Sequence, residues 1–392
     1  MQETTKSRAA QRASRLIEFK EWVSLAKTQT GKGLLTQLRE IHALRSFGGQ
    51  CGVSDYYWYK LYDHDYQRGR GARDFLGWRL QQKFSLALNP RYAALPAWDK
   101  LSFMSLAGAA GLPIAPVRAC FHRADRLADA MGIHLKTRMA VGSFLRDPAI
   151  YPLFGKPSFS QQGYGAVHLV GYDAATDSLR LLDGKTITID RFIDRLEQTV
   201  DARYHKPECG YLFQEPFTLA PEILAITQWP AICGVRIICL NGPDGVKPIR
   251  ACWKVAVPPN HVDNFSYGKN GNLFADVNLA NGEVNRVLRG FWPKTDVLSQ
   301  HPVTHMKIEG FRLPGWGKIL DACDRAGAVF PLLRIHHWDF ALTDNGPLML
   351  ELNDIGSTEA AQIHGHGLLT PETREFLRRY GNTREQPWIH VL

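Results

Sequence analysis

Two acidic side chains and an amide near the end of the sequence could together bind a divalent cation. Asp339 and Glu351 lie in apolar segments on either side of Asp344-Asn345-Gly346, which is predicted to form a three-residue hairpin loop. In that hairpin Asp339 faces Glu351, and Asn353 shares their side because side chains alternate along a strand. Carboxylate and amide oxygens suit Mg²⁺, which keeps its other positions for water and nucleotide phosphate.

The other side of this predicted hairpin is apolar and is expected to pack in the core. An ordinary hairpin with an acidic, solvent-facing side would have the same pattern, so the rest of the chain must decide between the two interpretations. The residues expected on the core side are Trp338, Phe340, Leu342, Leu348, Leu350 and Leu352.

A second stretch combines a lysine with a glycine-rich turn. A strand predicted to end at Lys156-Pro157 is followed by a flexible segment, 158–165, and then by a return strand. Gly163 and Gly165 permit positive φ, and a turn with exposed N–H groups can bind phosphate oxygens. Generic β-turns share this pattern, but the ammonium group beside backbone donors favours an anion.

Between these stretches, Arg236 interrupts an apolar segment that is predicted to be a strand. A buried arginine either pairs with an acidic residue in the core or faces a ligand, and the sequence leaves both possibilities open. The segment 262–273 is polar and rich in glycine, which is typical of a loop that lines a site.

Composition narrows the class of protein. The chain has 392 residues, 45% of them hydrophobic and 22% charged, which indicates roughly two or three globular domains. Seven cysteines without a CxxC pair argue for a reducing compartment and against a zinc ribbon or a disulfide scaffold. Because no secretory h-region and no run of about eighteen apolar residues occurs, we expect a soluble, cytoplasmic protein without a transmembrane segment. The net charge of +9 is dispersed, so we expect no nucleic-acid partner.

The pattern of elements changes along the chain. Apolar residues recur at helical spacing through residues 1–97, which predicts an N-terminal helical region. From residue 98 onward helices and strands mix, which predicts an α+β fold.

The order of these motifs resembles that of the ATP-grasp superfamily. Within it, the chain is most similar to the sugar-transfer-associated ATP-grasp proteins, in the phrases GVSDYYWYKLYD, WDK and HHWDFALTDNGPLMLELN. The similarity runs from roughly residue 45 onward and implies an ATP-grasp fold, in which two α+β subdomains sandwich ATP. The domains that it implies are an N-terminal α/β part with the ATP-grasp lid at 98–213 and a C-terminal subdomain with the magnesium site at 214–392. The motifs, in order, are Asp99-Lys100, Lys156 before the glycine-rich hairpin, Gln214-Glu215, Arg236, and Asp339 with Glu351-x-Asn353.

The resemblance also implies a role for each matching residue. Lys100 and Lys156 would reach the ATP phosphates, and the loop from Ser158 through Gly163 to Gly165 would close over them. The remaining roles are adenine recognition by Gln214, Glu215 and Phe217, ribose binding by Glu222, magnesium binding by Asp339, Glu351 and Asn353, contact with the γ-phosphate by Arg236, and phosphate or substrate contact by Lys254 and Asn264.

One segment departs from the family's pattern. Relatives tend to have a tighter double glycine where this chain has Tyr267-Gly268-Lys269-Asn270-Gly271. The departure affects the expected substrate-side loop and leaves the expected nucleotide site unchanged.

The implied function is an ADP-forming ligase that converts a carboxylate to an acyl phosphate and couples it to an amine. Its small-molecule substrates would include an acid on a sugar or an amino acid, in polysaccharide or secondary-metabolite biosynthesis. A kinase on the same scaffold and a non-catalytic nucleotide-binding scaffold remain alternatives. A metal-dependent hydrolase using His336 and His337 is not favoured, because adjacent strand residues point to opposite faces. The sequence gives no indication of oligomeric state.

Overall fold

The structure, a computed structural model, describes residues 2–68, 71–160, 164–197, 210–260, 262–290 and 292–392, with side chains from residue 16 onward. Gly163, expected in the phosphate loop, lies outside the described residues. The described helices are α1 (Gln2–Thr30), α2 (Leu34–Arg45), α3 (Val53–Trp58), α4 (Gln81–Leu88), α5 (Leu95–Trp98), α6 (Lys100–Ala109), α7 (Arg138–Leu145), α8 (Ile189–Glu197), α9 (Pro221–Thr227), α10 (Trp316–Val329) and α11 (Pro371–Tyr380).

The described strands form two sheets of seven strands each. The first sheet has the order β2-β1-β7-β3-β4-β5-β6 and contains β1 (Val117–Phe121), β2 (Ile133–Leu135), β3 (Leu153–Pro157), β4 (Val167–Asp173), β5 (Ser178–Leu181), β6 (Thr186–Thr188) and β7 (Tyr211–Gln214). The second has the order β12-β11-β10-β9-β8-β13-β14 and contains β8 (Val235–Gly242), β9 (Gly245–Val255), β10 (Leu273–Val277), β11 (Val284–Arg289), β12 (Asp296–Leu298), β13 (Ile335–Thr343) and β14 (Gly346–Asn353).

Helices cover both faces of the second sheet. On one face, Trp338 packs with Phe103 of α6 and Phe330 after α10. On the other face, the N-terminal helices and the C-terminal segment share a core with Ile238 and Ile335. The α+β class and the helical N-terminal region are therefore confirmed, whereas the predicted domain boundaries stay a prediction.

The β13–β14 hairpin has the predicted pairing at Asp339 but a different turn. Asp339 is opposite Glu351, as predicted. However, Thr343 pairs with Gly346, so the turn has two residues and not three, and the register shifts between Asp339 and Phe340. This shift is a β-bulge, which places an extra residue on β14 and compensates for the shorter turn.

Because of the shorter turn and the bulge, the buried side of β14 differs in part from the prediction. Leu348 and Leu350 were expected in the core, but both are only partly buried. Pro347 and Met349 are the buried residues in this part of β14. The shorter turn reverses the alternation up to Met349, and the bulge restores it from Glu351 onward.

Candidate functional site

A buried ion network occupies the middle of the second sheet. Arg236 on β8 and Asp339 on β13 are direct cross-strand partners. The guanidinium donates from Nε to Asp339 Oδ1 at 2.8 Å and from Nη2 to Oδ2 at 2.5 Å. Lys254 on β9 lies 3.7 Å from Asp339 Oδ2 and 3.3 Å from Asp263 Oδ2. A bidentate arginine–carboxylate pair of this kind holds both groups in a fixed orientation.

Charge compensation keeps these groups ionised despite their burial. Burial alone would raise the pKa of Asp339, but Arg236 and Lys254 hold it well below its usual range. Burial alone would lower the pKa of Lys254, but Asp263 and Asp339 raise it above its usual value. The network therefore combines two cations, Arg236 and Lys254, with two carboxylates, Asp339 and Asp263.

Glu351 and Lys100 form the edge of this network. Lys100, at the start of α6, lies with its Nζ 4.0 Å from Glu351 Oε2. The amide of Asn353 donates to Glu351 Oε1 at 3.4 Å. The side chain of Glu351 is 35% exposed, in contrast to 6% for Asp339, so Glu351 is the more open of the two carboxylates.

Lys156, on β3 of the first sheet, is a partly buried lysine that faces this edge. No carboxylate among the described residues lies within ion-pair distance of its Nζ. Burial and then the charge of Lys100 lower the pKa of Lys156 to about 7, with Glu351 opposing the shift. Such a group is stabilised by an anion, and a phosphate group would supply one.

The segment after Lys156 is anchored at both ends. Lys100 donates from Nζ to the carbonyl of Ser160 at 2.7 Å, and its backbone N–H donates to Ser158 at 3.0 Å. At the other end, the hydroxyl of Tyr211 donates to the carbonyl of Gly165 at 2.9 Å. The side chain of Ser158 is fully buried. The described ends of the predicted phosphate loop are thus fixed beside two lysines.

The predicted adenine hinge follows β7 directly. Gln214 is buried, and its side-chain amide donates to the carbonyl of Ala115 at 2.9 Å. The backbone N–H of Glu215 donates to Pro116 at 3.0 Å, while its carboxylate accepts from Arg118 Nε at 3.1 Å. Phe217 packs partly buried against the main core.

Two predicted site residues lie apart from the ion network. Glu222, in the first turn of α9, lines a cleft of about 540 Å³ together with Lys318 and the hairpin turn. That turn is about 13 Å along β13 from Asp339, because four residues separate them at about 3.3 Å each. Asn264 is exposed, and its side chain accepts the backbone N–H of Ser266 at 3.1 Å, so it shapes its own loop.

The oxygens of Asp339, Glu351 and Asn353 are of the kind that magnesium binds. Within the described ranges, no group of three or more His, Cys, Asp or Glu side chains is arranged to hold a metal ion, and the predicted set has two such side chains beside the amide of Asn353. Asp339 accepts from Arg236 at both oxygens, and each carboxylate oxygen has a second lone pair that a cation can use. Magnesium readily takes its other ligands from phosphate and water.

Sequence reasoning missed two residues of the site. Asp263 fixes Lys254 and also accepts the backbone N–H of Gly234 at 2.8 Å. Glu359 is buried and accepts from the hydroxyl of Tyr267. The polarity of the segment 262–273 indicated a site-lining loop, but no motif singled out Asp263 or Glu359.

The two adjacent histidines point to opposite faces, as predicted. His336 contacts the ring of Trp338 on the core side, with 5.2 Å between ring centroids. His337 is buried on the other side, where burial and then the charge of Arg236 lower its pKa to about 3. They cannot bind one metal together, which removes the basis for the hydrolase interpretation.

Several solved structures are similar to the chain. The ATP-grasp ligase PsnB bound to its minimal precursor matches with 15% identity, over 75% of this chain and 64% of that one, at a TM-score of 0.38. D-alanyl-alanine synthetase A of Vibrio cholerae matches with 9% identity over 73% and 65%, at 0.39. VanG D-Ala:D-Ser ligase of Enterococcus faecalis matches with 13% identity over 77% and 68%, at 0.40. The chain thus spans slightly under two thirds of the length of the first two.

Comparison with other proteins also gives one negative result and one family assignment. None of the curated proteins compared with the chain matches it. Among the described residues, no helix has both the length and the apolar character needed to cross a bilayer. The model of the sugar-transfer associated ATP-grasp family matches residues 79–377. Because that match spans well over half of the sequence, the chain belongs to the sugar-transfer-associated ATP-grasp family.

Proposed function

We propose that this chain is an ATP-dependent, ADP-forming ligase that activates a carboxylate as an acyl phosphate and couples it to an amine. The observation that best supports this is Lys156, a partly buried lysine with a lowered pKa that lies near Lys100 and Glu351 and has no carboxylate within ion-pair distance among the described residues. In an ATP-grasp chain, an anion at this place is best supplied by the phosphates of ATP.

ATP would lie between the two sheets, in the arrangement that the family implies. Lys100 and Lys156 would bind its phosphates, and the loop 158–165 would cover them. Adenine would meet the backbone of the hinge at 214–217, and Glu222 would bind the ribose. The proposed subdomains are 98–213 and 214–392, with the N-terminal helical region outside them.

The ion network would act on the transferred phosphoryl group. A carboxylate is a poor acceptor for an amine because oxide is a very poor leaving group, and phosphorylation replaces it with phosphate. Arg236 and Lys254 would stabilise the negative charge that develops on the phosphoryl oxygens, since both are fixed in place before reaction. Asp339, Glu351 and Asn353 would hold magnesium, which would supply further charge neutralisation when bound.

The amine would attack the acyl carbon after phosphorylation. The lone pair of its nitrogen forms the new bond to carbon, the carbon–oxygen bond to phosphate breaks, and phosphate leaves with the electron pair of that bond. The nitrogen loses one proton in this step, which the released phosphate can take up. Water competes with the amine for the acyl phosphate, so the loop must exclude water during this step. The proposed substrates are an acid on a sugar or an amino acid and a small amine. We place the reaction in the cytoplasm, where ATP is available and thiols stay reduced, in keeping with the buried, free cysteines among the described residues.

ATP turnover across a panel of uronic acids, amino acids and amines tests the proposal. ADP and free phosphate should appear only when an acid and an amine are both present. Glu351→Gln should abolish turnover, whereas Glu375→Gln on exposed α11 should not. ADP formed with one hydroxyl-bearing substrate and no free phosphate would identify a kinase. Absence of nucleotide binding would contradict both enzymatic functions.

A further inference from the structure

The residue Glu359 is a buried carboxylate that the nucleotide chemistry does not use. Its side chain is 4% exposed, and the hydroxyl of Tyr267 donates to its Oε1 at 3.3 Å. Its Oε2 is buried and has no hydrogen-bond partner among the described residues. Burial of an unsatisfied carboxylate oxygen is costly, so a missing partner is expected there.

Other unsatisfied groups belong to the same stretch of chain and to the strand beneath it. The hydroxyl of Thr358 is buried without a partner, and so are both ring nitrogens of His337, within the part of the chain that is described. Gly356 lies directly against that ring, because a Cβ there would be 2.1 Å from His337 Nδ1. Several buried, unsatisfied polar atoms close together indicate a place for a polar ligand or for bound water.

This polar cluster adjoins the ion network. Burial raises the pKa of Glu359, and the charge of Arg236 partly opposes that rise. Arg236 also acts on His337, which shares a face of β13 with Asp339. Because Gly356 packs against the ring of His337, and His337 shares a face of β13 with Asp339, the segment that carries Glu359 lies beside the site where phosphoryl transfer would occur.

A single loop contacts both the ion network and Glu359. The segment 262–273 supplies Asp263 to Lys254 and Tyr267 to Glu359. Ser266 and Tyr267 have φ of +48° and +58°, a left-handed conformation that costs of the order of 1 kcal/mol or more for such residues. Tyr267 is 46% exposed and forms an edge-on contact with Trp292 at 5.2 Å. It therefore links the buried carboxylate to the surface.

We infer that Glu359 Oε2 binds the ammonium group of the amine substrate, with Tyr267 at the entrance. This inference rests on the proposed function and deepens it by assigning the second substrate's site. Among the described residues, the cations Arg236 and Lys254 are each paired with a carboxylate, Asp339 and Asp263, whereas Glu359 Oε2 has no partner. This oxygen can accept a hydrogen bond from an ammonium group, and it can take the proton that the group must lose before its nitrogen attacks the acyl carbon.

Direct binding provides the test. Primary amines of three kinds, amino-acid methyl esters, amino sugars and diamines, would each be titrated against a matched alcohol by calorimetry with ADP present. Wild-type protein should bind at least one amine in preference to its alcohol. Glu359→Gln keeps the shape and an acceptor for Tyr267 but removes the charge, and should weaken that binding at least tenfold. Its affinity for ATP and its midpoint of thermal unfolding should change little, which a purely structural role would not predict.

The outcomes separate this inference from the ligase proposal. Amine affinities within twofold between wild type and Glu359→Gln, or no amine binding by wild type, would overturn the inference. Amine binding that depends on Glu359 without acid-dependent turnover would instead reject the ligase. If Glu359→Gln does not fold, the test uses Tyr267→Phe, which changes a more exposed side chain. An amine affinity weakened threefold or more in this variant supports the inference. An unchanged amine affinity overturns it.

Discussion

Proton uptake during ATP binding follows from the environment of Lys156. In the absence of ligand its pKa is about 7, lowered from 10.5 by burial and by Lys100. At pH 8 only about a tenth of the molecules carry the proton on this residue. A bound polyphosphate would restore the ordinary pKa, so binding should take up about 0.9 proton, since the terminal phosphate of ATP is already ionised at that pH.

Calorimetry in buffers of different ionisation enthalpy measures this uptake. The apparent binding enthalpy should vary with buffer enthalpy in wild type, with a slope near the number of protons taken up. In Lys156→Met that slope should fall by about 0.9 proton, while Lys83→Met on exposed α4 should leave it unchanged. Equal slopes in wild type and Lys156→Met would refute the reasoning.

Lys156 should also lower the stability of the nucleotide-free protein. Its folded-state pKa lies below the unfolded value, so between about pH 7 and 10.5 the folded protein holds fewer protons and gains stability as pH rises. Lys156→Met should raise the free energy of unfolding of the nucleotide-free protein by up to about 4 kcal/mol at pH 7. Urea unfolding at pH 7 and pH 9 would show this advantage shrinking, and a destabilised variant would contradict it.

Three further predictions concern the fold around the site. Asp339→Asn leaves Arg236 without its carboxylate, while Lys254 keeps Asp263, and should cost about 3–5 kcal/mol in urea unfolding. A loss below about 1 kcal/mol would show that the Arg236–Asp339 pair is dispensable. Gly155→Ala places a Cβ 2.7 Å from the ring of Tyr211. It should lower stability by about 1–3 kcal/mol, and an unchanged midpoint of thermal unfolding would contradict the packing. Asp55 has a pKa raised to about 6 from 3.8 by burial, so in that window the folded state holds more protons. Acidification from pH 7 to pH 5 should therefore stabilise wild type by about 1 kcal/mol relative to Asp55→Asn, and identical pH dependence would exclude this effect.

The sequence was sufficient to pair Asp339 with Glu351, but not to predict how the hairpin achieves that pairing. A three-residue turn and a two-residue turn followed by a bulge give the same partner for Asp339. They differ in the sides of the hairpin on which Leu348 and Leu350 lie, and a leucine is compatible with either side. The bulge depends on the twist and packing of the whole sheet, which local sequence does not encode.

The sequence also could not predict which groups pair with the charged side chains inside the fold. Arg236 could have paired within the protein or faced a ligand, and only the β8–β13 register brings it to Asp339. Glu359 lies in a segment without regular pattern, and its importance comes from the absence of a partner, which is a property of the folded structure. In contrast, the lysines before the loop were recognisable because their spacing and order match those of a family.

Isotope transfer from the acid substrate tests directly whether the enzyme forms an acyl phosphate. With an acid labelled with ¹⁸O in its carboxylate, formation of an acyl phosphate followed by attack of the amine moves one labelled oxygen into the released phosphate. Mass spectrometry of that phosphate should therefore show one ¹⁸O per turnover. Amide or ADP formed with unlabelled phosphate would contradict the acyl phosphate and with it the proposed ligase.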